Sequence, residues 1–270
     1  MAATKSSLRS VRKVFRFPVL GRLWKYLVAM AVYSALVVQF GHGLFMPQGG
    51  PPRRAGELVI ASILFGWLMS FRTQTSYARW WEGRSLWGQL VNDSRNIMLK
   101  AAAYVEDPVE RAKLGSIVVR FAETLRDRLR LTTRYPGPHM PMAAAEEVFR
   151  MIRRWQAEGK IDGFAFLALD QHAQQLMNVC GACEKIRATP LAASYRGLLR
   201  KGIAGYLLFL PWMMNEEAGW VTVPASVLTA YAVVGLELIA SSIEDPFGYD
   251  GDDLPIDDIV ETIRRATTVV

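Results

Sequence analysis

Residues 57–84 read ELVIASILFGWLMSFRTQTSYARWWEGR. From Leu58 to Phe71 the stretch is apolar on nearly every side of a helix, and it then turns polar at Arg72 with no nearby Gly or Pro to end the helix. The 14 residues from Leu58 to Phe71 fall short of the about 20 that a helix facing lipid all round needs. Part of the span is therefore expected to face protein or a water-filled space. Ile63, Trp67 and Phe71 stand four apart and form a nearly straight row on the helix. Ala61, Ser62, Gly66 and Ser70 leave other parts of its surface open to close approach by a neighbouring helix. On spacing alone, a bulky apolar row reads as ordinary core before it reads as a pore constriction.

Composition places this helix in a mixed setting. The 270 residues are 51% hydrophobic and 21% charged, with a formal net charge of +7, as expected of a chain that is part membrane-embedded and part soluble. No Gly-rich phosphate loop, zinc-finger spacing or RNP-type sequence accompanies the positive balance, which argues against nucleic acid as a partner. Retention on the cytoplasmic side of a membrane accounts for the same charge.

Outward from the organising helix, the chain reads as two apolar hairpins around a polar insertion. Residues 1–25 form a basic arm suited to the anionic surface of membrane lipids. Residues 26–81 form the first hairpin: Tyr26 to Met46 is long enough to cross, and Pro47 to Gly56 returns the chain to the organising helix. Residues 82–201 carry charge among apolar residues at helical intervals, predicting helices over Ser85–Val105, Pro108–Arg130, Met142–Glu158 and Gly163–Ile186, with a loop at Arg134–His139. Residues 202–243 form the second hairpin, and residues 244–270 an acidic tail. Pro211 inside the third span frees backbone groups that lipid cannot satisfy, so that helix must be packed by protein or end early. The expected fold is all-α and multi-pass, with four membrane helices, both termini and the insertion on the cytoplasmic side of the plasma membrane, and the whole forming one unit.

Two motifs carry a family resemblance. SFRTQTSYARWWEGR, from Ser70 to Arg84, resembles the segment that bestrophins carry after their second helix, and IEDPFGYDGDDLP, from Ile243 to Pro255, resembles their Asn-Pro-Phe-Gly-acidic signature. The resemblance implies a homo-pentamer around a central pore that passes small monovalent ions, chloride and other anions by family, with cations permeant in some bacterial members. By resemblance, Ile63, Trp67 and Phe71 become the pore neck, stacked apolar rings able to gate by dewetting. Trp67 is larger than the side chains usual there and is expected to narrow the neck. Thr189 and Leu191, flanking Pro190, are the two candidates for a cytoplasmic aperture. Glu216 and Glu217 would ring the outer mouth with carboxylates, a field that attracts cations but is screened beyond about 8 Å. No cofactor is required. Asp250 and Asp253 would supply carboxylates to a calcium clasp, but Asp245 replaces the usual Asn and Gly251 interrupts the acidic run, leaving a structural role as the alternative.

The remaining polar residues offer little chemistry. Cys180 and Cys183 have the spacing of a redox pair or half a zinc site, yet no second pair lies at ligand spacing and only His172 is near, so packing on a helix is the simpler reading. Glu237, inside the last apolar run, calls for a buried partner, with Arg72 or Arg79 in view. Three scattered histidines and the absence of nucleophile-elbow or P-loop motifs argue against an enzyme. The rival to a channel is a membrane-anchored helical scaffold whose insertion binds a soluble partner.

Overall fold

The computed structural model describes residues 20–41, 54–130 and 138–268, and all regular structure among them is helical. The basic arm up to residue 19, the turn over residues 42–53 and the loop over residues 131–137 lie outside the described residues. In chain order the helices are α1 (Leu20–Phe40), α2 (Arg54–Tyr104), α3 (Pro108–Arg130), α4 (Met140–Ala157), α5 (Gly163–Ala188), α6 (Ala193–Ala218), α7 (Thr222–Ile243) and α8 (Ile256–Thr268), with a 3-10 turn at Gly219–Val221. The chain divides into two compact units: Met1–Tyr77 with Leu191–Glu244, and Ala78–Pro190 with Asp245–Val270.

The organising helix is longer than either of its expected parts. No helix breaker separates the apolar run from the polar one, so α2 continues for 51 residues, or about 75 Å at 1.5 Å per residue. Its residues up to Tyr77 belong to the first unit and those from Ala78 to the second.

In the first unit, α1, α6, α7 and the start of α2 pack around Leu23, Met69, Leu199, Ile203 and Val234, with a second cluster at Met30, Leu210 and Ala230. Among the described residues, two stretches are long and apolar enough to cross a membrane, Leu23–Phe40 and Gly219–Ile243. Four spans were expected. The apolar run of α2 gives way at Arg72, and α6 opens with Arg196, Arg200 and Lys201, so neither of these helices sustains an apolar window of that length. Helix α1 also ends earlier than the expected Met46. The Gly41 amide still donates to Val37 O at 2.8 Å, and a Cβ at residue 41 would lie 2.3 Å from that oxygen and 3.2 Å from the Trp212 ring.

Helix α6 begins at Ala193, nine residues before the expected Gly202, and runs through Pro211. A proline disturbs the carbonyls one turn before it. One of these, Leu208 O, accepts a 2.7 Å hydrogen bond from the Tyr33 hydroxyl of α1, and the same hydroxyl accepts from Trp212 Nε1 at 2.7 Å. Packing by protein is thus how this helix tolerates its proline.

In the second unit, α3, α4, α5, α8 and the rest of α2 enclose a larger core that includes Trp87, Phe121, Trp155, Phe247 and Ile263. On α2 the buried positions Trp87, Leu90, Ser94, Ile97, Met98 and Ala101 recur at three- and four-residue intervals, one face of a helix. Helix α3 takes its expected bounds, with Pro108 at its first position and the Asp107 carboxylate accepting from Val109 N at 2.8 Å. The acidic tail contains a packed helix: α8 buries Ile256, Ile259, Val260 and Ile263, while Asp257 in its first turn pairs with Arg126 and Arg130.

Tyr33→Phe removes the donor to Leu208 O and leaves both that carbonyl and the Trp212 indole short of a partner. Thermal unfolding in detergent should show a loss of about 0.5–1.5 kcal/mol, the net value of an ordinary hydrogen bond; an unchanged midpoint would show that water or lipid headgroups replace Tyr33.

Candidate functional site

The apolar half of α2 has two unlike faces. Ile60, Ile63, Leu64, Trp67 and Phe71 are exposed, with Ile63 at 65%, Trp67 at 61% and Phe71 at 45%. Met69, Arg72 and Ser76 are buried. At 100° per residue the exposed five fall on one side of the helix, with Trp67 near its centre line. The Trp67 and Phe71 rings meet edge to face, their centroids 4.7 Å apart and their planes at 83°.

Behind this face Arg72 has no solvent access and is held by two carboxylates. Its Nε lies 3.1 Å from Glu237 Oε2 and its Nη2 2.8 Å from Glu244 Oε2, while Nη1 donates to Ser76 Oγ at 2.8 Å. Glu237 and Glu244 stand two helical turns apart, on the same side of α7 and its C-terminal cap. Both are themselves buried, at 8% and 6% exposed. From α6, Arg200 approaches Glu237 at 3.6 Å and Arg196 approaches Glu244 at 3.4 Å. Glu244 also accepts from the Leu191 amide at 3.2 Å. Of the two partners considered for Glu237, Arg72 is the one found. Arg79 instead donates to the carbonyls of Ile186 and Thr189 at 2.7 and 2.6 Å. Glu244, which the sequence places in the acidic tail, is the second anchor of Arg72; its seven-residue spacing from Glu237 is the available signal.

The two aperture candidates fall in different units. Thr189 caps α5, its hydroxyl donating to Lys185 O at 2.7 Å, and is exposed. Leu191 is half-buried, and its amide is tied to Glu244. The side chains of Glu216 and Glu217, the expected outer ring, lie outside the described residues.

Asp250 and Asp253 sit in a loop that closes on itself. The Leu254 amide donates to Pro246 O at 3.0 Å, and the Asp250 amide donates to Asp253 Oδ2 at 2.6 Å. A Cβ on Gly248 would lie 2.6 Å from the same carboxylate oxygen, and one on Gly83 would lie 3.2 Å from the Phe247 ring. Phe247 and Gly248 of the Pro-Phe-Gly signature thus each have a packing reason. Burial, assisted by the charges of Asp245, Asp250 and Asp252, pushes the Asp253 carboxyl up to about 6 despite its bond from the Asp250 amide. Among the described residues, Asp250 and Asp253 join no group of three metal-ligating side chains. Calcium ordinarily takes six to eight oxygens, more than these two carboxylates supply.

One cluster of possible metal ligands does form, from His139, Cys180 and Glu184, whose ligand atoms lie within 4.8 Å of one another. Its hydrogen bonds speak against a metal. His139 Nδ1 accepts from the Met142 amide at 3.1 Å, which leaves the ring proton on Nε2, facing Glu184 Oε1 at 3.0 Å. A metal on Nε2 would require that proton on Nδ1, against the Met142 N–H. Arg128 already occupies the same Glu184 oxygen. Cys180 and Cys183 are free and buried, and burial pushes the Cys180 thiol up to about 12 and raises Cys183 as well; inert packing is their role. His172, the histidine the sequence placed near them, instead pairs with Asp93 at 3.0 Å.

The arrangement is that of a membrane-protein fold with known examples. It is similar to a mutated bacterial bestrophin homologue from Klebsiella pneumoniae, with a TM-score of 0.83 over 91% of this chain and 97% of that one at 21% identity. The family model for the bacterial and fungal bestrophin proteins matches residues 1–269, and the chain belongs to that family. Among curated relatives, a protein of Nostoc sp. is 29% identical over 98% of this chain and 92% of its own, and one of Ralstonia nicotianae is 32% identical over 77% and 74%. Both are named voltage-dependent anion channel-forming proteins. The family is one of channel formers, not enzymes.

Removing the Arg72 guanidinium leaves two buried carboxylates facing each other. Arg72→Met should cost about 3–5 kcal/mol, the range for breaking a buried pair, and the triple variant with Glu237→Gln and Glu244→Gln should recover most of it; equal unfolding midpoints for the single and triple variants would show that stranded carboxylate charge is not what destabilises the single one.

The loop carboxylate carries a pH signature. A carboxyl whose folded pKa is raised above its unfolded value of about 3.9 contributes stability that is fully present below that pH and lost as pH rises through the folded value near 6. Asp253→Asn keeps an acceptor for the Asp250 amide and cannot ionise. Its midpoint relative to the parent protein should therefore climb from pH 4 to pH 7; a difference that stays constant across this range would mean that Asp253 titrates normally.

Proposed function

We propose that the protein is a homo-pentameric channel of the plasma membrane that passes small monovalent ions, chiefly anions, along an axis lined by Ile63, Trp67 and Phe71. The observation that carries this reading is the exposed apolar row on α2, backed by a buried charge network that fixes which side of the helix turns outward. A lone chain that leaves so bulky a row uncovered calls for either lipid or copies of itself, and closed symmetry around the row makes a dewettable neck. The anion preference is taken from the names of its relatives.

Four membrane crossings follow in this reading, with α1 and α7 facing lipid and the apolar parts of α2 and α6 shielded by protein. Both termini lie on the cytoplasmic side, and the basic arm contacts lipid headgroups. Thr189 and Leu191 flank the cytoplasmic aperture, and Glu216 and Glu217 stand at the outer mouth. Conduction needs no cofactor, and current from this protein is expected to be indifferent to calcium.

The test is reversal potential and conductance of purified protein in planar bilayers under a salt gradient, with Phe71→Ala alongside and native mass spectrometry of the same sample. A pentamer whose conductance changes in the variant supports the neck. A monomer or dimer without current would favour the rival reading, a membrane-anchored scaffold.

A further inference from the structure

We propose that Trp67 gives the neck its charge preference, its indole N–H acting as a ring of donors that favours anions over cations. The inference rests on the pore reading above and assigns the sign of selectivity to one atom type within it.

Ile63 and Phe71 present no polar atom. Trp67 is the single residue of the row with a polar hydrogen, and it is a donor without an acceptor. Three other tryptophans spend this group on protein: Trp80 Nε1 donates to Asp252 O at 3.1 Å, Trp155 Nε1 to Glu110 Oε2 at 3.1 Å and Trp212 Nε1 to the Tyr33 hydroxyl at 2.7 Å, while Trp87 Nε1 is buried without a partner among the described residues. Among the described residues the Trp67 indole N–H has no such partner, and the side chain is 61% exposed.

Where an ion sheds part of its hydration, an unpaired N–H replaces lost water for an anion and does nothing for a cation. Hydrogen bonds to a charged acceptor are roughly twice as strong as neutral ones. The opposing effect is attraction of cations to the aromatic face. In the perpendicular contact between Trp67 and Phe71 one ring's edge lies against the other's face, which takes one aromatic face out of reach of a cation. Glu216 and Glu217 would favour cations at the outer mouth, but surface charge is screened over about 8 Å, whereas a donor at a constriction meets the ion directly. The bulk of Trp67 and its sign are separable: bulk sets conductance, and the N–H sets selectivity.

The experiment measures chloride-to-sodium permeability ratios from reversal potentials for the parent protein, Trp67→Phe, and a protein carrying 1-methyltryptophan at position 67, which keeps the ring and loses only the proton. Both changes should lower the ratio by about tenfold, the equivalent of one charge-assisted hydrogen bond. A ratio in the 1-methyltryptophan protein equal to that of the parent overturns the proposal even though the channel conducts. Absence of current from the parent and from Phe71→Ala alike overturns the pore reading, and this inference with it.

Discussion

A guanidinium with no access to solvent constrains everything around it. Taking such a charge out of water costs several kcal/mol even after relaxation, and Arg72 meets that cost only with Glu237, Glu244 and Ser76 all in place. The rotation of α2 follows. With Arg72 turned inward beside Met69 and Ser76, Phe71 lies about 100° away around the helix, and Trp67 and Ile63 follow it to the outer face. The network therefore decides which row of a nearly all-apolar helix is presented, a choice hydrophobicity alone leaves degenerate. Its value is orientation more than stability, since a buried ion pair is commonly worth no more than a well-packed apolar replacement.

The same network reaches the chain on either side of the second hairpin. Glu244 takes the Leu191 amide, so the residue just before α6 and the residue just after α7 are tied to one side chain of α2. At the other end of that hairpin's first helix, Tyr33 donates to Leu208 O in the turn before Pro211. Both anchors are polar groups satisfied by protein among helices that otherwise meet through aliphatic contacts. Dispersion holds these helices together, and the polar anchors fix their register.

Much of this was legible in the residues. The extents of α3 and α5 follow from Pro108 at a first turn and from the Asp162 carboxylate capping Ala165 N at 2.7 Å, both readable as start signals. Glu237 announced a partner because an ionisable group in an apolar run must have one. Other features were hidden for physical reasons. The start of α6 was missed because Arg196, Arg200 and Lys201 look like soluble surface, whereas two of them face the carboxylates of α7. Glu244 was hidden beside six acids that follow within 14 residues, and only tertiary structure separates the one that is buried. His139 was read as part of a loop because capping by an imidazole has no strong sequence signal.

The Pro-Phe-Gly segment shows why recognising a motif and explaining it are separate steps. Its likeness to the family's acidic signature suggests a cation site, yet its groups are largely committed elsewhere. Phe247 fills a space that any side chain at residue 83 would invade, Gly248 makes room for Asp253, and Asp253 accepts the Asp250 amide. Asp257 is turned to Arg126 and Arg130, whose guanidinium groups hold its carboxyl below the usual range, and Arg130 also stacks on Tyr249 at 4.5 Å. The Asp253 Oδ2 and the Asp257 carboxylate satisfy local donors, while the buried Asp253 Oδ1 has no partner among the described residues. The segment is better understood as a folded clamp on the second unit's core, and its charge as what lets so polar a loop lie against Trp80 and Phe247 without unpaired amides at Asp250 and Leu254.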